Sequence, residues 1–421
     1  MNLRGARALC LAIAGAALQL PAQARQNSEA PAATVDGSVR AAYFSDARKL
    51  NAARNIVAGS TWINGRAALG GSTLMAQGWV RHESTGSPSA RTTRGLVREA
   101  YLDARFGSVD LRLGKQIIAW GRADEINPTD NLTPRDHTLL AAETADQRFG
   151  LVAAKATQHF ESLSLTTIWI PGFRPNVSPV AAFPGVSYRN DDASRSRQYA
   201  LKVDRTGGAV DWSLSYFSGR DLNPDLAVAS VSATGLELAF RPPRIKVVGV
   251  DAAAAVGGLG FRAEAAYAWT DKDGRSNPLA KTPHLFVVVG ADLDAGGGSN
   301  INLQYFARHV DAYRDPRHLA DPGIRAVAVA QAVVAGQLDR FQHGGSFRLA
   351  KRWLNDSLQA ELSGIVSLTY HDFVLRSKLK YAISDDWKAT LGVDVFRGGS
   401  STYFGRLREM SLAYVELAAS F

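Results

Sequence analysis

The sequence predicts an all-β fold: a transmembrane antiparallel β-barrel of about 18 strands, with about 16 as the runner-up. Three observations lead there. Apolar and polar residues alternate, as in Val210, Trp212, Leu214 and Tyr216 against Asp211, Ser213 and Ser215, or Trp387, Ala389, Leu391, Val393 and Val395 against Lys388, Thr390 and Asp394. Successive strand side chains point to opposite faces, so each such segment has one apolar and one polar face. The segments run about 10–13 residues, the length a tilted strand needs to cross a bilayer. Finally, the connections alternate between tight turns and long loops, the rhythm of periplasmic turns and outer loops.

In order, the strands fall near 35–44, 57–69, 72–83, 94–106, 109–120, 147–157, 161–171, 196–206, 209–219, 242–254, 259–270, 282–294, 299–309, 341–353, 356–368, 372–383, 386–397 and 408–420. The short turns include Gly70-Gly71, Gly107-Ser108, Gly207-Gly208, Gly257-Gly258 and Asn355-Asp356. The long loops run 84–93, 121–146, 172–195, 220–241, 271–281, 310–340 and 398–407. Aromatics gather near segment ends, including Tyr43, Trp62, Trp79, Phe106, Trp120, Trp169, Trp212, Trp269 and Trp387. Such residues are expected in girdles at the two membrane–water interfaces. Residues 324–338 suit a short amphipathic helix in the 310–340 loop, one that caps a pore, docks a partner or simply packs. The last strand closes with Ala413, Val415, Leu417, Ala419 and Phe421 on one face, a pattern resembling the signal by which outer-membrane barrels are recognised for assembly.

Residues 1–24 read as a secretory signal and 25–421 as the barrel. Arg4 and Arg7 precede the apolar run 8–20, and Ala22-Gln23-Ala24 is a small-x-small cleavage site. The single cysteine, Cys10, lies in that segment, so disulfides, zinc-thiolate sites and cysteine nucleophiles are not expected in the mature chain. The net charge is +9, of which Arg4 and Arg7 carry two. Basic charge can signal nucleic acid, but a chain sent out of the cytoplasm does not meet it, so no nucleic-acid partner is expected.

Enzymatic signatures are missing. There is no H-E-x-x-H and no G-x-S-x-G, and Gly114-Lys115 lacks the context of a phosphate loop. Ser377 and Lys380 match S-x-x-K only inside an alternating strand. His309 and His318 share a loop with Asp311, Asp315 and Asp321, a weak metal candidate that reads better as a solvated loop. The chain is therefore read as a non-enzyme with no cofactor and no metal site.

A barrel of this size encloses a wide wet lumen. The polar phase expected to line it includes Arg40, Arg66, Gln77, Arg81, Glu99, Asp103, Arg105, Arg112, Lys202, Asp211, Arg262, Glu264, Gln304, Glu361, Arg376, Lys378, Lys380 and Glu416. Two residues conflict with this phase. Lys115 falls on the apolar side of its strand and Asp251 sits in an apolar run; a bulge or an interfacial position would account for either.

The stretch "LRLGKQIIAWGRADEINPTDNLTPRD", Leu111 to Asp136, changes from strand alternation to a dense polar loop at Trp120-Gly121. Pro128 and Pro134 stiffen the path, and Asn127, Asn131 and Thr133 suit turns. A stiff loop of both charge signs that folds into a pore can select solutes. Trp120, Arg122, Asp124, Glu125, Asp130, Arg135 and Asp136 are the candidate constriction. The alternatives are a structural scaffold, or a divalent-cation site on Asp124, Glu125, Asp130 and Asp136.

On "LRLGKQ", "WGRADEINPTDNLTPRD" and the terminal barrel pattern, and on "PRIKVVGVDAAAAVGGLGFRAEAAYAW" (Pro243 to Trp269), the chain resembles a proteobacterial family of outer-membrane proteins grouped under a domain of unknown function. The resemblance implies a porin-like barrel in the outer membrane of a Gram-negative bacterium, sometimes linked to envelope export machinery. The expected function is a channel for small solutes with 121–146 as its constriction. A non-conducting or gated barrel serving export or lipid handling is the alternative. The expected partners are outer-membrane lipid and lipopolysaccharide, the barrel-assembly machinery, small solutes and an envelope export system.

Overall fold

Eighteen strands form one sheet in the computed structural model, which describes residues 33–46, 55–84, 91–179, 185–232, 235–270, 277 and 279–421. Each strand pairs antiparallel with its neighbours, and Ala33–Asp46 pairs with Leu412–Ser420, Ser38 opposite Ser420 and Asp46 opposite Leu412. That last pairing closes the barrel and removes both edges, the condition for a sheet to stand in lipid, where unpaired backbone groups find no other partner. The expected 18 strands are all present, at close to the expected bounds: Phe341–Trp353 and Trp387–Arg397 are examples. The proposed signal segment, with Cys10 and its cleavage site, lies outside the described residues.

The short connections are built by left-handed backbone. Gly70 (φ +58°) turns the chain between Ile56–Leu69 and Ser72–Ser84. Between Trp353 and Leu358 the turn instead places Leu354, Asn355 and Asp356 at φ of 53°, 54° and 66°, a conformation Asn and Asp tolerate better than most side chains.

The barrel's outer wall is apolar. Ile63, Val80, Val97, Leu214, Leu303 and Leu391 are all exposed large hydrophobics in mid-strand, which in water would be costly and against lipid tails is not. Tyr43, Phe106, Trp169 and Trp269 are exposed nearer the strand ends. Three of the expected girdle aromatics do not belong there. Trp62 and Trp79 are buried, their rings tilted to each other at 5.9 Å between centroids and packed with Leu139 of the 121–146 loop, and Trp120 is buried too. They share the phase of Asn64 and Gln77, which hydrogen-bond across the lumenal face; their neighbours Ile63 and Val80 take the outer face.

The two phase conflicts also resolve. Asp251 is inward: along Arg244–Val256 the buried residues are Ile245, Val247, Gly249 and Asp251, and Val248 and Val250 face out. Both faces are apolar there, so alternation of polarity carries no signal. Lys115 keeps the outer phase, opposite exposed Val152 and one residue before the strand ends at Gln116. Its strand stops there because the chain turns inward, while the neighbouring Arg91–Phe106 continues past the paired Ala100.

Two features lie in the long loops. Helix α1, Pro322–Ala335, has Asp321 accepting from the Ile324 amide (2.7 Å) and ends at Gly336 in left-handed geometry. It begins and ends slightly earlier than the expected 324–338. A three-stranded sheet of Val186–Asn190, Asp225–Ser232 and Gly235–Arg241 was not expected. Its strands lie within 172–195 and 220–241, segments read from the sequence as long loops. Leu236, Leu238 and Phe240 nonetheless alternate.

Phe421 follows the closing strand. Its amide and carbonyl exchange bonds with Gly37 (3.0 Å each), and its ring occupies the space a side chain at position 37 would need. Deleting Phe421 removes this pair at the seam that closes the barrel. The expected result is several-fold less folded barrel in the membrane fraction, read by heat-modifiable mobility, with normal behaviour in the fraction that does fold. Wild-type yield and insertion rate in the deletion would refute it.

Candidate functional site: a loop crossing the lumen

The strand Val109–Gln116 hands over to the loop through a set of backbone clamps. Glu99 accepts from the Ile117 amide (2.8 Å). Thr133 Oγ1 accepts from the Ile118 amide (2.7 Å) and donates to the Ile118 carbonyl (2.6 Å), binding the loop's return to its start. Trp120 then sinks into an apolar cluster with Leu132, Ile168, Ile170 and Phe217. Gly121 turns at φ +87°, and a Cβ there would run into the Asn127 amide. Asn127 donates to the Trp120 carbonyl (2.7 Å) and accepts from the Thr129 amide (3.1 Å). The Trp-Gly break is thus a tight turn into the barrel.

Beyond it, one carboxylate gathers the loop. Glu264, 2 % exposed, accepts from the amides of Arg122 (3.1 Å), Ala123 (3.3 Å) and Thr129 (2.7 Å) and from Thr129 Oγ1 (2.9 Å). Arg122 Nε donates to Asp251 (2.5 Å), whose other oxygen accepts from Ser213. Gly249 completes the seat, because a Cβ there would lie 2.5 Å from Thr129 Cγ2. The two stretches singled out in the sequence, 111–136 and 243–269, are therefore contact partners.

The loop then spans the interior. Asp124 pairs with Arg262 (3.4 Å), and Gln304, with its amide turned to satisfy both groups, donates to the Asp124 carbonyl (2.7 Å) and accepts from its amide (2.9 Å). Glu125, at φ +52°, reaches Arg376 (3.7 Å). Glu143 pairs with Lys378 (3.1 Å) and Lys380 (2.5 Å), and Asp146 with Arg40 (2.7 Å). These partners sit on strands from opposite parts of the ring.

Arg98 was not expected at this site. The pairing of Ser72–Ser84 with Arg91–Phe106 slips between Gln77 and Gly78, so Arg98 is an extra residue and joins Glu99 on the inner side. A bulge re-aims a side chain in just this way. Arg98 Nε donates to the Arg148 carbonyl (2.8 Å) and Nη1 to Gln77 (3.0 Å). Simple alternation puts it outside; the sequence hint is that Arg94 and Arg98 stand on the phase of Leu96, Ala100, Leu102 and Ala104.

The other expected residues divide into two groups. Asp130 is buried between Arg148 and Arg135, its side chain 7 % exposed, so it is not open to solute as the sequence reading supposed. Arg135 also donates its amide to Asn176 (2.8 Å), and Asp136 accepts from the Thr138 amide (2.9 Å) with Arg94 at 3.7 Å. Because Asp124, Glu125, Asp130 and Asp136 each face a different arginine, they do not converge as cation ligands would. Arg112 is bidentate to Asp103 (2.6 and 2.7 Å), Lys202 pairs with Asp204 (2.6 Å), and Arg105 pairs with Asp110 (2.5 Å) in an exposed position by the Gly107-Ser108 turn. None of these three touches the loop. Arg66, Arg105, Arg112 and Lys155 border a cavity of about 710 Å³ towards the short-turn rim. A second cavity, about 550 Å³, is bordered by Asp124, Arg262, Arg348, Lys378 and Lys380.

At the long-loop rim, Lys281 is 6 % exposed and bonds to Asp221 (2.6 Å) with Asp225 at 3.4 Å; Gln331 of α1 donates to Asp225 (3.1 Å). Burial opposes the ammonium, but the two carboxylates outweigh it and hold Lys281 above its ordinary pKa. A raised lysine pKa contributes stability that is complete below the unfolded value of about 10.4 and is lost as pH rises through the folded one, so this latch is constant across neutral pH. Lys281→Met strands two buried carboxylates, at a cost of about 3–5 kcal/mol. The expected result is faster protease cleavage within 310–340 at pH 7 with the barrel intact. Unchanged cleavage would show that the cluster does not hold α1. In the same region Asp311 accepts from Tyr267 and lies 3.6 Å from His309, Asp315 pairs with Arg317 (2.8 Å) and Asp321 caps α1, so the three acids have separate partners and do not converge on one point.

A closed barrel with an apolar outer wall, a charged lumen and a long loop packed across it defines a porin-type β-barrel. The chain belongs to the family described as "Protein of unknown function (DUF1302)", whose model matches residues 11–401. Among solved structures it is similar to OpdK of Pseudomonas aeruginosa, solved with vanillate (TM-score 0.56, 11 % identity, 92 % of this chain and 98 % of that one). It is also similar to OccK5 (OpdH) of the same organism (0.54, 11 %, 92 % and 97 %) and to a BenF-like porin from Pseudomonas fluorescens Pf-5 (0.54, 10 %, 93 % and 98 %). At such identities the likeness is one of fold. No curated protein matches the sequence.

Proposed function

We propose that the protein is an outer-membrane, porin-like channel for small solutes, with the 121–146 loop as its constriction. The observation that carries this reading is the loop's path: it is pinned by side chains on opposite parts of the ring and leaves polar, charge-lined space between itself and the short-turn rim. A loop meant only to brace one wall would have no need of partners on Arg40, Arg262 and Arg376 together. Asp124 and Glu125, with Arg262 and Arg376 opposite them, form the charged waist in this reading. Trp120, Arg122, Asp130, Arg135 and Asp136 hold its shape. The rest of the lumenal charge, including Arg112, Lys202 and Arg105, lines the approach.

The fold neighbour named as a BenF-like porin supports the channel over the export or lipid-handling alternative. The deciding experiment is reconstitution of purified protein in planar bilayers. Stepwise, voltage-stable conductance is expected. A silent bilayer from folded, correctly inserted protein would overturn the channel and leave the gated or non-conducting barrel.

A further inference from the structure

The apolar outer wall is broken by cations where Arg244–Val256 leaves the long-loop rim. Its lipid-facing phase starts with Arg244 and Lys246, both exposed, and continues through Val248 and Val250 to Val256. The ten steps from Lys246 to Val256 cover about 33 Å, and at a tilt of about 40° that is roughly 25 Å of height, the apolar band of an outer-membrane barrel. Lys246 therefore stands at the upper edge of the band. Both neighbouring strands end at this level: Arg220, the last residue of Asp211–Arg220, is opposite Arg244, and Thr270, the last of Leu259–Thr270, is opposite Ile245. Lys246 lies between Ser218 on one side and Trp269, 45 % exposed, on the other. An aromatic ring at this depth marks the membrane–water interface.

The charges at this spot are not balanced from within the barrel. Arg220 is occupied: its Nε donates to Ser196 Oγ (2.6 Å) and its Nη1 to the Pro242 carbonyl (2.5 Å). Among the described residues, neither the Arg244 nor the Lys246 side chain has a hydrogen-bond or ion-pair partner. Like charges directly opposite each other destabilise a sheet, and here Arg244 is opposite Arg220 with Lys246 beside it. A single lysine whose stem lies on the wall and whose head reaches water has no need of a second cation. Three cations on adjacent strands fit an anion outside the barrel, which would offset their repulsion through charge-assisted bonds. Directly below them the wall is apolar and continuous: Tyr216 pairs with Val248 and Leu214 with Val250, all four exposed. The patch thus joins a cationic head to an apolar stripe, the complement of a lipid with an anionic headgroup.

We infer that this face binds the lipid A portion of lipopolysaccharide, an acylated disaccharide bearing phosphates, from the leaflet on the long-loop side. Arg244 and Lys246 donate to phosphate oxygens, Ser218 adds a neutral donor, and the acyl chains lie along Leu214, Tyr216, Val248 and Val250. The site is on the outside of the wall, so it stands or falls independently of whether the lumen conducts. It rests on the barrel's placement in the outer membrane with its long loops outward.

The test is native mass spectrometry of the full folded protein in detergent, titrated with diphosphoryl lipid A, with the same lipid stripped of its phosphates, and with phosphatidylglycerol. Diphosphoryl lipid A is expected to bind at least about tenfold more tightly than either of the others. Arg244→Gln with Lys246→Gln should abolish that preference. Lys351→Gln, beside the Gly296–Gly298 turn at the other rim, should leave it unchanged. Equal binding of the phosphorylated and stripped lipids by wild type, or binding of neither, overturns the inference without recourse to any variant. Equal binding of phosphatidylglycerol overturns it too, because the patch would then read charge alone. So does an undiminished preference in the folded double variant, or an equal loss in Lys351→Gln. Should the double variant not fold, Lys246→Gln alone takes its place, and a full wild-type preference in it counts equally against the site. A dimer of wild type that the variant loses, with no lipid preference in either, would assign the face to a second copy of the chain instead.

Discussion

Replacing Glu264 by alanine is expected to free the 121–136 segment and turn a steady small conductance into a larger, noisier one, with the barrel still folded. Glu264 is the acceptor for four donors from Arg122, Ala123 and Thr129. A hydrogen bond to a charged group contributes about 1.5–3 kcal/mol, and the four are not additive because they share one carboxylate. Losing even about 3 kcal/mol raises the released population roughly 100-fold. Strand pairing around position 264 uses backbone groups and survives: Ala263 to Ala266 keep their partners on both neighbouring strands. Glu264→Gln should resemble the alanine variant, since an amide nitrogen placed where Oε1 or Oε2 now sits would face donors. Single-channel recording and limited proteolysis of residues 121–136 give the reading. Wild-type noise and wild-type protection in Glu264→Ala would mean that Gly121, the Thr133 clamp and the Arg122–Asp251 pair already suffice.

Neutralising Asp124 and Glu125 together should shift the pore toward anions. Both are part of the proposed waist, the Asp124 side chain 40 % exposed and Glu125 28 %. Their removal leaves Arg262 and Arg376 less compensated at the same level of the lumen. The change acts through the field across the pore, so it should fade as salt shortens the Debye length to roughly 8–10 Å and below. The measurement is reversal potential in a salt gradient, wild type against Asp124→Asn with Glu125→Gln. The barrel should tolerate the pair, since partly exposed charges contribute little to stability. Asp130 is best left in place. Removing its charge would strand Arg148 and Arg135 around a buried site, and a fault in loop structure would then be mistaken for a change in selectivity. An unchanged reversal potential in a conducting, folded double variant would show that the loop is scaffold.

Much of this architecture can be read along the chain, because its causes are local. A strand's period of two is a property of neighbouring residues, and so is the contrast between a glycine turn and a long loop. That is why 18 strands, nearly all their bounds and the α1 helix emerge from the sequence. The stiffness of the 121–146 loop is equally local. Gly121, Asn127, Pro128 and Thr133 act within a few residues of themselves, and the structure finds them clamping the turn where the Trp-Gly break suggested one.

The site is less legible, and each miss has a physical reason. Alternation tells which residues share a face but names the face only through a contrast in polarity. Along "IKVVGVDAAAAV" that contrast vanishes, and Asp251 could not be placed. Trp62 and Trp79 are apolar on the lumenal phase, covered there by Leu139 of a loop that begins far away in sequence. The bulge at Arg98 reverses one residue's direction through a mismatch of two strands, and no single strand records it.

The sequence by itself determined the barrel, its strand count, the charged phase of its wall and a rigid polar loop after Trp120, all consequences of short-range sterics and polarity. Only the tertiary structure decided where that loop goes. Closure through Leu412–Ser420 brings Arg40, Glu264 and Arg376 around one interior. A carboxylate's partner is chosen by distance in that closed ring, so the four donors on Glu264 and the burial of Asp130 exist only once the barrel is closed.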